Sequence, residues 1–184
     1  MNYSPHYALF PNLIEGQTRS VIVLEDTQVP KGDYTFMELF CTDKKCDCRR
    51  VMINVEQLDP AFPKFRAATL SYGWEPMSFY KNWSPLMSAK MLEDFRGPCL
   101  DPYQKQSVHA PFFLNFFKDM IVNDKAYHAR LKAHYAQFKW CQGTKMPIQF
   151  KFDPLALCPC KSGAKFKFCC GKEGKKIFEA GKFR

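Results

Sequence analysis

The chain has 184 residues, of which 46% are apolar and 24% charged. That composition is ordinary for one globular domain with a sizeable core plus an appendage. No apolar run approaches the roughly 20 residues that span a membrane, and the opening stretch MNYSPHYALFPNLIEG lacks the basic start and apolar segment of an export leader. The formal net charge of +9 is uneven: residues 145–184 hold ten Lys and Arg against Asp153, Glu173 and Glu179, so this tail carries +7 and the preceding 144 residues only +2. A basic unit of that kind fits an acidic partner.

Four stretches read as strands: SVIVLED (20–26), YTFMELF (34–40), RVMINVE (50–56) and FRAATLSYGW (65–74). Each is rich in β-branched and aromatic residues with partial alternation. The links between them are short and carry Pro, Gly and Asp, which favours an antiparallel meander because parallel strands need long crossovers. Three helices follow. SPLMSAKMLEDFRGP has Ser84 as candidate N-cap, Pro85 at the first helical position, Gly97 at the end and a stripe of Met87, Met91 and Phe95. APFFLNFFKDMIV repeats the pattern with Phe113, Phe117, Met120 and Ile121. DKAYHARLKAHYAQFKW has Asp124 as N-cap and the stripe Tyr127, Leu131, Tyr135, Phe138. The fold class is therefore α+β, with an antiparallel sheet of about four strands, about three helices and a cysteine-rich C-terminus. Residues 1–144 read as the α+β domain, 145–157 as a linker or docking segment in which Ile148, Phe150 and Phe152 alternate like a short strand, and 158–184 as a knuckle with a basic tail.

The chain contains nine cysteines, an odd number, and its opening stretch does not read as an export leader. This suits a cytoplasmic protein whose clustered thiols serve metal or catalysis, and makes a disulfide framework the weaker alternative. CPCKSGAKFKFCC (158–170) places Cys158 and Cys160 one residue apart, with Cys169 and Cys170 adjacent and a Ser162–Gly163 turn signal between the pairs. Folding the second pair onto the first surrounds one ion with four thiolates at about 2.3 Å, the tetrahedron zinc prefers. A segment this short has no core of its own and needs such a staple.

The pattern C-x-C-x-S-G-x₅-C-C resembles the SEC-C motif, the zinc-binding C-terminus of the preprotein translocase ATPase SecA. The match covers residues 158–171. The resemblance implies zinc on Cys158, Cys160, Cys169 and Cys170, and a docking role rather than a reaction, because the SecA tail binds an export chaperone. The chain has Lys161 where the family usually has Gly, a residue suited to a positive φ, and Ala164 where Lys is common. With no G-x-x-x-x-G-K-[ST] loop it is not the translocase motor. Read more widely, ELFCTDKKCDCRRVMINV, QSVHAPFFLNFF and HYAQFKW followed by the knuckle are similar to uncharacterised bacterial SEC-C proteins, a resemblance that supplies no activity.

A second cluster, Cys41, Cys46 and Cys48, lies in a loop between two predicted strands. Three thiols make three corners of a tetrahedron. Cys99, Cys141 and His109 are candidates for the fourth, with Cys99 preferred because it follows a helix in a turn and Cys141 reads as a packed small hydrophobe. An open site with water in the fourth position is the catalytic alternative, disfavoured because three thiolates damp the acidity of zinc.

The rest of the inventory argues against an enzyme. There is no C-x-x-C, no phosphate-binding Gly loop and no nucleophile elbow. His128 and His134 read as surface or satisfied core residues, and Asp43 and Asp47 as solvated groups or supports of the cysteine loop. Lys165, Phe166, Lys167 and Phe168 alternate basic and aromatic side chains. They suit an acidic protein partner or, as the alternative, RNA or a ribosomal surface gripped through phosphates and bases. The expectation is a non-catalytic interaction protein holding two zinc ions, with iron the rival metal. Nothing in the sequence implies a membrane or a small-molecule substrate.

Overall fold

The computed structural model describes residues 2–13, 18–26, 28–58, 65–144 and 153–180. Along these the chain forms β1 (Tyr3–Pro5), α1 (His6–Leu9), β2 (Arg19–Val23), β3 (Gly32–Cys41), β4 (Arg50–Gln57), β5 (Arg66–Gly73), α2 (Met77–Trp83), α3 (Ala89–Arg96), β6 (Cys99–Leu100), α4 (Ala110–Asn123), α5 (Lys125–Cys141) and α6 (Cys170–Glu179). The class is α+β, and the sheet is antiparallel throughout. It has six strands, with β1 and β2 sharing one edge of β3, and β4, β5 and β6 following in order on the other side. The two strands missing from the sequence reading, β1 and β6, are three and two residues long, too short to show a period.

The alternation of the long strands sorts the sheet into two faces. Phe36 opposes Val55, which opposes Ala68, and Ile53 opposes Leu70. All five are buried in the main core beside Phe113 and Phe117 of α4 and Leu131, Tyr135 and Phe138 of α5. Alternate positions turn to the other face. There Arg50 opposes Gly73, and Cys41 and Cys48 join a smaller core with Tyr80 of α2 and Leu92 and Phe95 of α3.

The helix expected from Ser84 begins only at Ala89, and a separate helix absent from the sequence reading, α2, precedes Ser84. Ser84 ends α2, its backbone N–H donating to Tyr80 O, and Ser88 caps α3 through a hydrogen bond from Met91 N to its Oγ. Leu86, between them, is fully exposed. The buried positions of α3 are Leu92 and Phe95, whereas Met91 is half-exposed, so the face is rotated from the expected methionine stripe. Gly97 closes α3 at φ 61. A Cβ there would collide with Ser71 O of β5, so the sharp return into β6 needs glycine. Asp124 alone joins α4 to α5 and caps the latter, accepting from Tyr127 N at 2.8 Å. Cys99 lies on edge strand β6, paired with Ser71, rather than in an open turn.

The alternating Ile148, Phe150 and Phe152 lie outside the described residues. From Asp153 onward the tail packs on the domain: Cys158, Phe166 and Cys170 belong to the same buried cluster as Leu9, Phe10 and Cys141. Phe166 sits 5.7 Å from both Phe10 and Trp140, ring centre to ring centre.

Candidate metal centres

The knuckle is built by backbone pairing. Leu157 bridges Lys165, Cys158 N donates to Ala164 O at 2.8 Å and Phe166 N to Ala156 O at 2.9 Å. The turn between these arms passes through Lys161 and Gly163, both at positive φ. A single turn of 3₁₀ helix at Phe166–Phe168 then delivers Cys169 and Cys170 to the start of α6. The thiols of Cys158, Cys160, Cys169 and Cys170 all lie within 4.8 Å of one another, with Cys160 Sγ at 3.4 Å from Cys158 Sγ and 3.5 Å from Cys169 Sγ. A Zn–S tetrahedron has edges of about 3.8 Å, so the group fits one ion with little adjustment. Ser162 Oγ, 3.2 Å from Cys169 Sγ, also holds the Cys160 thiol down at about 6. Burial pushes the Cys158 and Cys170 thiols up. Metal binding must displace those protons, which ties affinity to pH.

In the second cluster the thiols of Cys41, Cys46 and Cys48 likewise lie within 4.8 Å of one another. Cys41 ends β3, and the 42–49 loop returns the other two to it. Asp43 shapes the loop by accepting from Lys45 N at 2.8 Å, and its carbonyl accepts from Cys46 N. Arg49 makes the exit, at φ 46. That costly conformation is held from several sides. Its guanidinium pairs with Asp47 at 2.9 Å and Glu75 at 3.2 Å and lies over Phe79. Its carbonyl accepts from Tyr80 Oη and its N–H donates to Tyr135 Oη. Asp43 and Asp47 thus support the loop.

The Cys46 and Cys48 thiols, as hydrogen-bond partners, hold the Cys41 thiol far below its ordinary value, and Lys139 adds to the effect. The same contact with Cys41 pushes Cys46 up to about 11 and Cys48 well above the usual range. One thiolate forms readily and the next two resist, as expected of three like groups in contact. A divalent cation removes that resistance.

Cys99 does not join these three. Its Sγ donates to Asp94 O at 2.8 Å, and burial pushes its thiol up to about 11. His109 faces Gln28 O at 3.0 Å, and Cys141, buried, lies 3.6 Å from Gly171 O. Among the described residues, none of the three candidate fourth ligands therefore stands with the Cys41 group in this structure. The reason is topological: pairing with β5 draws Cys99 toward Ser71, away from the end of β3.

The last turn of α5 braces both centres, a role sequence reasoning missed. Lys139, fully buried, donates from Nζ to Cys41 O at 3.0 Å and Asp43 O at 2.9 Å. Gln142 Nε2 also donates to Cys41 O. Trp140 and Cys141 meet the tail instead, and Lys175 of α6 caps the Trp140 ring at 3.9 Å. A lysine inside the apolar run Phe138–Cys141 is the one local signal that could have flagged this turn.

Among the expected contact residues, Phe166 is 1% exposed and belongs to the core, because the turn points its ring inward under Gly171. Phe168 is 62% exposed with Lys167 Nζ over its ring, and Lys165 is exposed. Comparison with protein-family models, curated proteins and solved structures finds no match. Among the described residues, no helix is long and apolar enough to cross a membrane.

Proposed function

We propose that this protein is a non-catalytic interaction protein stapled by two zinc ions. The observation that carries the reading is the convergence of seven thiols into two groups that suit a borderline-soft cation. Cys158, Cys160, Cys169 and Cys170 would close a four-thiolate site. Cys41, Cys46 and Cys48 would hold the second ion, leaving one position for water or an exogenous ligand. The sequence likeness to the SEC-C motif supports zinc over iron and a docking role for the tail. The exposed Lys165, Lys167 and Phe168 favour an acidic protein surface as partner.

The test is metal analysis of anaerobically purified protein, followed by capture of partners on wild-type protein and on a Lys165→Ala, Lys167→Ala, Phe168→Ala variant. Close to two zinc equivalents, with a one-to-one protein partner lost in the variant, is expected. One equivalent overturns the second centre, and a predominance of iron overturns the metal. The exposed pair of Phe168 and Lys167 also suits RNA. Recovery of RNA instead, with affinity falling steeply in salt, replaces the protein partner by that alternative.

A further inference from the structure

The second face of the sheet contains a cavity of about 480 Å³, within the range of small-molecule sites. It lies under α3 and the segment after β6. Arg50 lines it and is 7% exposed. This guanidinium stacks on Phe95 at 3.5 Å and donates from Nη2 to Ser71 Oγ. Its Nε is buried with no hydrogen-bond partner, and among the described residues no carboxylate forms an ion pair with it. Arginine stays charged in proteins, and a buried charge left short of partners is costly. The guanidinium that lines the cavity thus offers a cation to an anion entering it.

The other lining groups narrow its chemistry. Met52 and Met87, with Phe95, supply an apolar wall, and methionines adapt to varied apolar shapes. Asp94 and Asp101 also line the space. Two carboxylates repel a phosphate dianion and favour a molecule that brings its own ammonium group. We infer that the cavity binds a free apolar α-amino acid, its carboxylate on Arg50, its ammonium toward Asp94 and Asp101, and its side chain among the methionines. This site is separate from the zinc reading and does not depend on it.

The experiment is thermal unfolding of the full chain as purified with L-leucine, with 4-methylpentanoate, which lacks the amine, and with isoamylamine, which lacks the carboxylate. Leucine should raise the melting temperature saturably at concentrations up to about 10 mM, with both analogues at least about tenfold weaker. Arg50→Met should abolish the leucine shift measured against the variant's own baseline. Met91→Trp, at the half-exposed mouth, should block it while leaving Arg50 in place, and serves if Arg50→Met fails to fold. Absence of a saturable shift, an equal shift with either analogue, or a leucine shift that survives Met91→Trp or a folded Arg50→Met overturns the proposal.

Discussion

The Lys139 ammonium, buried behind the sheet, donates to the Cys41 carbonyl at 3.0 Å and so fixes the backbone of a candidate metal ligand from α5. It also places a positive charge beside three thiols that become anions on metal binding. Lys139→Met keeps the length of the side chain but leaves the Asp43 carbonyl without this donor and the thiolates without the charge. Loss of such a support typically costs about 10–100-fold in metal affinity. Chelator competition should show one of two zinc equivalents released earlier, the tail zinc being unchanged. Equal release of both would show that Lys139 does not serve the Cys41 group.

Cys99→Ser should leave both zinc equivalents in place, because the Cys99 thiol faces Asp94 O and not the Cys41 group. Cys48→Ser should remove one. Loss of zinc from Cys99→Ser would show that the metal-bound loop draws Cys99 in.

Phe166 ties the tail to the domain, contacting Phe10 and Trp140. Phe166→Ala should destabilise the whole chain by about 3–5 kcal/mol, the usual cost of emptying a buried phenylalanine site. Urea denaturation followed by α-helix circular dichroism reads this directly. A loss confined to the tail, with the domain midpoint unchanged, would show that the two parts unfold independently.

Lys161 occupies φ 61, a region where a side chain costs about 1–2 kcal/mol and glycine costs far less. Lys161→Gly should therefore stabilise the zinc-bound knuckle by roughly 0.5–1 kcal/mol after the extra entropy of unfolded glycine is counted. It should also slow zinc release to a chelator. Faster release would mean that the lysine side chain contributes more than the strain it imposes.

His6 stacks on His134 with ring centres 4.0 Å apart. Burial, reinforced by the neighbouring His134, holds His6 well below the ordinary histidine range despite its hydrogen bond to Gln137. The folded state thus refuses a proton that the unfolded chain accepts below about pH 6.5. This contribution to stability is complete above that pH and is lost as pH falls below it, by up to about 1.4 kcal/mol per unit. Comparing urea midpoints of zinc-saturated wild type and His6→Gln between about pH 7.5 and 5.5 isolates this group from thiolate protonation, which both share. The variant should have the flatter profile, and parallel profiles would remove His6 as the source.

The sequence by itself determined what local chemistry dictates. Four long strands were legible because alternating side chains must face core and solvent in turn. The Asp124 cap was legible because a short carboxylate satisfies orphan helix N–H groups, and the two cysteine groups because each is close in sequence and cannot spread far apart. Only the tertiary structure decided contacts between distant segments. It paired Cys99 with Ser71 and withdrew it from the Cys41 group, turned Phe166 into core against Phe10, moved the start of the helix expected at Ser84 to Ala89 and aimed Lys139 at a loop 96 residues away. None of these has a local signature, because the free energy that selects them comes from burying surfaces that meet only once the sheet and helices have assembled. Arg50 shows the same limit. In sequence it is one basic residue after a cysteine loop, and its burial beside an open cavity exists only once β4, β5 and α3 have closed around it.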